Sequence, residues 1–420
     1  MRKLALHWQI LLALILAAIV GAGFKQAVVG GVPVIEIYDF VGTIFLNALK
    51  MIIVPLVVSS IITGVAGLGA VEGFGRLGLK TMGYYMMTSL IAILVGLMLV
   101  NAFQPGIVDG QPARANIPQS AETQAALEKV GDKGPGAVVQ VLQRLVPSNV
   151  VESAVNGDML GLIFFSLVFG YFMTRLGDQS RATLLGFWQA LNDVMLLITN
   201  WVMLFAPIGV FALVAKVFAT TGLEAIKPVL VFAITVLIGL GVHTLVVMPL
   251  LLFLLGRVNP WRHFKAMAPA MITAFSTDSS MATLPVTMDC VENRAGVTNR
   301  TTSFVLPLGA TINMDGTALY ECVAAVFIAQ AYGIDLSFAT QFTIVLLALL
   351  TSIGVAGIPA ASLVAIVIIL RETGVPVEGI GMILAVDRLL DMCRTTVNIF
   401  SDSCGAVIIA RSEGETGILQ

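Results

Sequence analysis

The residues best suited to chemistry lie in one apolar segment near the end of the chain, AVDRLLDMCRTTVNIFSDSCGAVIIA. At about 100° per residue, its polar side chains share a helical face roughly 60° to 80° wide, with Thr395 at its border. We call this face the acidic stripe, and it consists of Asp387, Asp391, Arg394, Asn398 and Asp402. Each ionised group at the centre of a bilayer costs at least about 2.5 kcal/mol, so the stripe must face water, a ligand, ions or itself. A structural salt bridge is the alternative, but it leaves two of the three acids without a cationic partner on that face.

Two other apolar segments are interrupted by polar residues, glycine and proline at their centres: STDSSMATLP and TSIGVAGIPAAS. Non-helical backbone cannot face lipid, so both breaks must line a cavity or be buried in protein. The pattern predicts two re-entrant helical hairpins, and such pairs of interrupted segments indicate a transporter's binding site. The alternative is that glycine and proline merely kink two ordinary membrane helices.

Two clusters of side-chain oxygens accompany these breaks. LPLGATINMDGTALYE places Asn313 and Asp315 inside an apolar segment, and YYMMTS places Tyr85, Thr88 and Ser89 on one helical face. Hydroxyls bonded to the preceding helical turn would explain the second cluster without any function. Oxygen-only clusters suit hard cations, and an arginine beside them suits a carboxylate. These residues therefore predict cation-coupled movement of a small anionic or zwitterionic solute.

The composition is that of an integral membrane protein. The 420 residues are 58% hydrophobic and 11% charged, far from the roughly 25% charged residues of a soluble domain. Apolar windows long enough to cross a bilayer occur near 8 to 24, 42 to 68, 82 to 104, 158 to 176, 190 to 219 and 228 to 256. The first of these is interpreted as a retained helix and not as a signal peptide. A net charge of −2 predicts no nucleic acid partner.

The distribution of cationic residues predicts a cytoplasmic amino terminus. With that orientation, twelve arginines and lysines lie inside and seven outside, four of them in a long external loop over 105 to 157. We interpret the four cysteines as small packed residues, and the three histidines belong to no functional motif. We therefore expect a multi-pass protein of the plasma membrane, or of the inner membrane if the cell is bacterial.

Four motifs together are similar to one known family: NMDGTA, SSMATLPVT, SIGVAGIP and DMCRTTVN followed by an aspartate. On these the chain is identified as a member of the dicarboxylate/amino acid:cation symporter family, which includes glutamate and aspartate transporters. The resemblance implies an all-α integral membrane fold with eight transmembrane helices, two re-entrant helical hairpins and inverted repeats. It also implies a homotrimer in the lipid bilayer and an elevator-type movement.

The resemblance further implies a division of the chain into scaffold and transport parts. The scaffold comprises helices 1 and 2 (1–75) and helices 4 and 5 (158–219), with the external loop at 105–157. The transport part comprises helix 3 (76–104), helix 6 (220–256), hairpin 1 (257–297), helix 7 (298–333), hairpin 2 (334–373), and helix 8 with the tail (374–420).

Substrate-binding roles follow residue by residue from the matching motifs. Arg394 would hold a side-chain carboxylate and Asp391 an ammonium group. The remaining contacts would come from the hairpin serines, from the backbone of the second hairpin and from hydroxyl and amide side chains: Ser279, Ser280, Gly357, Ile358, Thr317, Thr395 and Asn398.

Three sodium sites are implied in the same way. The first would use Asp402 and Asn313 with the carbonyls of Gly309 and Asn398. The second would use carbonyl groups only, those of Thr311, Ser352, Ile353 and Val355. The third would be formed by Tyr85, Thr88, Ser89, Asn313 and Asp315.

The expected function is therefore inward sodium flow coupled to uptake of L-aspartate or L-glutamate. Neutral amino acid members of the family lack the arginine at Arg394, and several proton-coupled members lack the carboxylate at Asp402. A proton-coupled, neutral amino acid or C4-dicarboxylate carrier of the same fold stays as the alternative. The chain departs from the family pattern at Asp278 and Met392, where archaeal and animal members respectively place an arginine. We expect Asp278 to alter affinity or ion dependence without changing the substrate class.

Two other classes fit less well. An intramembrane enzyme using Ser279, Ser280 or the aspartates would need a base, and the sequence suggests no histidine in the core region. The chain is therefore not expected to be an enzyme. A passive channel would show no fixed coupling between solute and sodium flux.

Overall fold

The computed structural model describes residues 6–24, 27–68, 74–113, 143, 146–156, 158–221, 226–354 and 361–419. Within these residues the secondary structure is mostly helical. It also includes two short β-hairpins, which pair Val28–Val29 with Val32–Pro33 and Ile107–Val108 with Gln111–Pro112. Five of the described helices are long and apolar enough to cross a membrane: Val34–Ala66, Arg76–Phe103, Asp178–Met203, Ile226–Gly256 and Asn299–Ala331.

The first half of the chain forms a layer of helices with a shared apolar core. Its elements are α1 (Leu6–Gly23), α2 (Val34–Leu68), α3 (Leu79–Phe103), α4 (Val150–Asn156), α5 (Met159–Met173), α6 (Asp178–Met203) and α7 (Ala206–Thr221). Helix α1 packs along α7, and α2 packs against α5, α6 and α7. Helix α3 belongs instead with the second half of the chain, because its main contacts are with helices after residue 226.

The sequence predicts one membrane-spanning helix over 190–219, and this prediction is wrong, because two helices cover that range. Helix α6 ends at Met203, and a turn at Leu204 and Phe205 precedes α7. Pro207 is the second residue of α7, where its missing amide hydrogen leaves no helical hydrogen bond unmade. A hydropathy window averages over such a turn because the residues on both sides are apolar.

The second half of the chain is arranged around one central helix. Its elements are α8 (Ile226–Gly256, with two π-helical turns), α9 (Pro260–Thr277), α10 (Ser280–Asp289), α11 (Asn299–Ile312), α12 (Asp315–Ala331), α13 (Phe338–Gly354), α14 (Ala361–Thr373) and α15 (Ile380–Ser412). Helix α12 contacts α3, α8, α13, α14 and α15, and its side chains are almost all buried.

Helices α9 and α10 pack against each other and reverse the chain at the predicted break in STDSSMATLP. Asp278 takes the left-handed conformation (φ 52°, ψ 39°) that ends α9. Ser279 then begins α10, where its hydroxyl accepts a hydrogen bond from the amide of Ala282 at 3.2 Å. The reversal thus needs one left-handed residue and one N-cap, and the sequence supplies an aspartate and a serine, which both tolerate these roles.

The second interrupted segment is described on both sides of its centre. Helix α13 ends at Gly354, α14 begins at Ala361, and the two helices contact each other and α12. Residues 355–360, the centre of SIGVAGIP, lie outside the described part of the chain.

The polar interruption in LPLGATINMDGTALYE is a true break between α11 and α12. Asn313 (φ −96°, ψ 96°) and Met314 (φ −122°, ψ 59°) leave the helical conformation, and Asp315 starts α12. The break frees backbone and side-chain oxygens for the clusters described below.

Candidate functional site

Arg394 lies at the centre of the site and is fully buried. Its Nη2 donates to Asp387 Oδ1 at 3.1 Å and forms an ion pair with Asp391 Oδ1 at 2.8 Å, so the arginine contacts two other members of the acidic stripe. The guanidinium carbon lies 3.8 Å from the centre of the Tyr320 ring on α12, within the range of a cation–π contact. The stripe on α15 is therefore held against the central helix through its arginine.

Two nitrogens of this guanidinium have no hydrogen-bond partner among the residues that the structure describes. Arg394 Nε and Nη1 are buried and make no hydrogen bond to any described residue. A buried donor without an acceptor costs about 1–3 kcal/mol, and more when the group is charged. Each of these two nitrogens can therefore donate to an oxygen of a bound carboxylate.

The tip of the first hairpin touches the same face of α15. The Thr395 hydroxyl donates to Asp278 Oδ1 at 3.1 Å, and Arg388 pairs with Asp278 Oδ2. Ser280 is buried at the start of α10, and Ser279 is half-buried beside it. The structure thus places Asp278, which directly precedes the predicted hairpin serines, in contact with Thr395, the residue after Arg394.

Asn398 joins α15 to the start of α12. Its amide nitrogen donates to the Thr317 hydroxyl at 3.2 Å, and its amide oxygen accepts from the backbone amide of Gly316 at 2.8 Å. A Cβ atom at Gly316 would lie 2.8 Å from the carbonyl oxygen of Arg394, so only glycine allows this approach. The predicted residues Thr317 and Asn398 are therefore in direct contact.

Asp402 forms the first oxygen cluster with Asn313. The Asn313 amide donates to Asp402 Oδ1 at 2.9 Å and to the Ser401 hydroxyl at 3.1 Å. A Cβ atom at Gly309 would lie 2.5 Å from Asp402 Oδ1 and 2.6 Å from the Tyr85 hydroxyl. The predicted members Gly309, Asn313 and Asp402 therefore lie together.

Asp315 forms the second cluster and is fully buried. It accepts hydrogen bonds from Ser89 at 2.6 Å, from Thr88 at 3.2 Å and from Ser401 at 2.6 Å. The Tyr85 hydroxyl donates to the carbonyl oxygen of Val305 at 2.7 Å. Helix α3 thus supplies two hydroxyls to this carboxylate, as the spacing in YYMMTS predicts.

The second predicted sodium site, that of carbonyl groups, is only partly described. Thr311 is exposed on α11, and Ser352 is buried on α13, which contacts α11. Ile353 lies in the last turn of α13. Val355, Gly357 and Ile358 fall in the segment outside the described residues.

Sequence reasoning missed several contacts. His243 was expected to play no role, yet its Nε2 lies 3.0 Å from Asp315 Oδ2 in the core, and His263 is buried beside Ser403. The expectation of no histidine in the core region is therefore wrong. A histidine inside an apolar run of α8 was itself a signal, because such residues at membrane depth are rare.

Arg388 and Glu321 were missed for other reasons. Arg388 lies three residues before Asp391 and seven before Thr395, a spacing that places it beside the stripe. Glu321 has no cation close to it in the sequence, and its carboxylate accepts from the Thr351 hydroxyl of α13 at 2.9 Å. That partner lies 30 residues away in the sequence, so no local pattern indicates it.

Comparison with known proteins decides the family. The model of the sodium:dicarboxylate symporter family matches residues 6–412. The chain belongs to this family. It is 38% identical to the proton/sodium-glutamate symport protein of Geobacillus stearothermophilus, over 99% of this chain and 96% of the relative. It is 36% identical to the proton/glutamate-aspartate symporter of Escherichia coli, over 98% and 93% of the two chains.

An animal relative is equally similar. Excitatory amino acid transporter 3 of Mus musculus is 38% identical over 98% of this chain and 86% of its own length. This member of the sodium:dicarboxylate symporter family is accordingly a membrane transporter that moves a cation with its solute, and it is not an enzyme. The expected class is confirmed, and the intramembrane enzyme is discarded.

Proposed function

We propose that this symporter couples inward sodium flow to the uptake of L-aspartate or L-glutamate. The observation that carries the proposal is the buried Arg394, whose Nε and Nη1 have no acceptor among the described residues. An acidic amino acid supplies side-chain carboxylate oxygens to which such a donor can bond, whereas a neutral one leaves both donors unpaired at the full desolvation cost.

Asp391 is the partner for the substrate ammonium. It lies 2.8 Å from Arg394 and its side chain is 30% exposed, so it has an accessible oxygen next to the arginine. The second carboxylate of the substrate would lie at Ser279 and Ser280, at the positive end of α10, and the backbone of Gly357 and Ile358 would supply further contacts. Thr317, Thr395 and Asn398 complete this set of contacts.

Charge balance favours cation coupling. Asp278, Asp387 and Asp391 surround two guanidiniums, those of Arg388 and Arg394, so the ionised group carries one negative charge in excess. An acidic amino acid adds another net negative charge. Because uncompensated charge at membrane depth is costly, cations must accompany the substrate.

Sodium is the proposed cation, and oxygen ligands suit it. Asp402, Asn313 and the carbonyls of Gly309 and Asn398 would hold one ion. Thr88, Ser89, Asn313 and Asp315, with Tyr85 adjacent, would hold another. Thr311, Ser352, Ile353 and Val355 would hold a third through carbonyl groups. Proton coupling is the second candidate, because the names of both bacterial relatives include protons and Glu321 is a buried acid.

The proposal includes the architecture of the family. Eight transmembrane helices and two re-entrant hairpins would form a homotrimer with cytoplasmic amino termini in the plasma membrane, or in the inner membrane of a bacterial cell. The part that contains both hairpins, α3, α8, α12 and α15 would move as an elevator against the part that contains α1, α2 and α5 to α7. The dense contacts within each part support this division.

Transport by purified protein in liposomes tests the function. We expect labelled L-aspartate and L-glutamate to accumulate under an inward sodium gradient, and L-serine and succinate not to accumulate. Arg371→Gln, an exposed arginine on α14, is the matched control for Arg394→Gln, and only the second is expected to stop uptake. Uptake of succinate alone would contradict the substrate, and uptake driven only by a proton gradient would contradict the ion.

A further inference from the structure

Asp278 at the tip of the first hairpin is held in an unusual way. It is one of the few described non-glycine residues with positive φ, and its side chain is 3% exposed. Its two carboxylate oxygens are bonded to different residues of α15: one to Arg388, the other to Thr395. A left-handed residue whose two carboxylate oxygens are both engaged points to a functional constraint. We call Asp278, Arg388 and Thr395 the hairpin clasp.

Arg388 also faces the substrate site. Its guanidinium is 40% exposed, pairs with Asp278 and lies 4.0 Å from Asp391, which in turn contacts Arg394. Charges therefore alternate from the hairpin tip into the site: Asp278, Arg388, Asp391, Arg394 and Asp387. In such a chain, removal of one member changes the partners of its neighbours.

We propose that Arg388 is a positioning residue that sets substrate affinity by holding the first hairpin against α15 through Asp278. This inference rests on the proposed function, in which Asp391 takes the substrate ammonium. Without Arg388, Asp278 becomes a buried carboxylate that repels Asp391 and the hairpin tip moves away from α15. Without Asp278, Arg388 is left with Asp391 alone and competes with the ammonium for it.

A double-mutant cycle separates this role from a general structural one. Arg388→Gln and Asp278→Asn are each expected to raise the KM for L-aspartate about tenfold, because each breaks a partly buried ion pair, while the maximal rate changes little. The double variant is expected to show no more than the same tenfold rise, since both substitutions remove one interaction. Arg388→Lys keeps the charge and is expected to restore KM to within about threefold, and Arg371→Gln is the control.

A second measurement needs no substrate. Hydrogen exchange of the backbone amides over residues 276–283 reports how firmly the tip is held. We expect exchange in Arg388→Gln and Asp278→Asn to be about tenfold faster than in wild-type protein, and unchanged in Arg371→Gln.

The two measurements distinguish failure of the hairpin clasp from failure of the proposed function. Additive KM effects of about a hundredfold in the double variant, or wild-type exchange at the hairpin tip in both single variants, would overturn the clasp. Wild-type protein that takes up no acidic amino acid would overturn the proposed function alone, and the exchange measurement would still decide whether Arg388 holds the hairpin.

Discussion

Two helical regions of equal hydropathy have opposite environments. The windows in Asp178–Met203 and Asn299–Ala331 both have a mean hydropathy of 1.3, yet 11% of the first and 94% of the second are buried within the protein. The first region is α6, which exposes large apolar side chains such as Phe187, Leu197 and Trp201. The second is α11 with α12, where Asp315, Thr317 and Glu321 are buried.

This difference shows that polar residues in a buried apolar helix are bonded to other helices. In α12, Asp315, Thr317 and Glu321 each have a hydrogen-bond partner on another helix. Mean hydropathy cannot distinguish these cases, because a buried polar cluster and an exposed polar face lower the average equally. The position of the polar groups relative to the apolar ones decides which helix carries the function.

The largest effect is expected at Arg394, which packs against the buried region. Arg394→Lys should lower kcat/KM for L-aspartate at least a hundredfold, because lysine keeps the charge but cannot present two fixed donors. Flux assays in liposomes measure this change. Arg181→Lys on α6 is the control. Equal losses of kcat/KM in both variants would mean that the buried region is no more important for transport than α6.

A large effect on stability is expected from the core of α12. Phe327 is fully buried and stacks on Phe232 with ring centres 4.6 Å apart. Phe327→Ala should destabilise the folded state by about 3 kcal/mol or more. Leu197→Ala on α6, where the side chain is 69% exposed, should change stability by less than about 0.5 kcal/mol.

Denaturation of the protein in detergent, monitored by intrinsic fluorescence, compares these two variants. A larger loss for Leu197→Ala would mean that α6 is buried by an interface, which would reverse the contrast drawn from the single chain.

A smaller effect is expected when glycines of the two regions are replaced by alanine. Gly309→Ala on α11 places a Cβ atom 2.5 Å from Asp402 Oδ1, whereas a Cβ atom at Gly186 on α6 meets nothing within 4 Å. We expect Gly309→Ala to weaken sodium activation of uptake about tenfold, because overpacking displaces the carboxylate. Gly186→Ala should leave it unchanged. An unaltered sodium dependence in Gly309→Ala would show that Asp402 binds no sodium at this place.

The smallest effect is expected outside the membrane, at the tail that follows α15. Glu415 accepts from the Thr298 amide at 2.8 Å and from the hydroxyls of Thr298 and Thr301. Burial raises the pKa of Glu415, but these hydrogen bonds outweigh it, so the net pKa lies below its ordinary value. Its stabilising effect is present above the unfolded-state pKa and is lost as the pH falls through the folded-state value.

Glu415→Gln tests this pH dependence. At pH 7 the variant should melt about 1–2 °C below wild-type protein, and the gap should close as the pH falls towards 3. Glu292→Gln, an acid at the base of hairpin 1, is the control. A gap that persists at low pH would mean that the glutamine disturbs packing and not an ionised contact.

Sequence reasoning went furthest where polar residues interrupt apolar segments. The acidic stripe, the turn at Asp278 and the break at Asn313 were all predictable, because each violates a local pattern that lipid would otherwise enforce. The break in 190–219 was not, since Leu204 and Phe205 are as apolar as their neighbours. Local patterns therefore locate the functional segments more reliably than the ends of ordinary helices.

Contacts between distant segments could not be predicted from the sequence. His243 and Asp315 are 72 residues apart, and Asp278 and Thr395 are 117 apart. Without related sequences to compare, the pairing of such residues depends on how whole helices pack. The sequence indicated that Asp278 and Asp315 matter, and only the fold gave their partners.

The single amide of Asn313 gives the two oxygen clusters a common member. It bonds to Asp402 directly and reaches Asp315 through the Ser401 hydroxyl. Any occupant that reorients this amide at one carboxylate also alters the free energy of filling at the other, and the influence is the same in both directions. If cations occupy both clusters as proposed, their binding is expected to be cooperative, and a titration of either cluster should depart from a simple hyperbola.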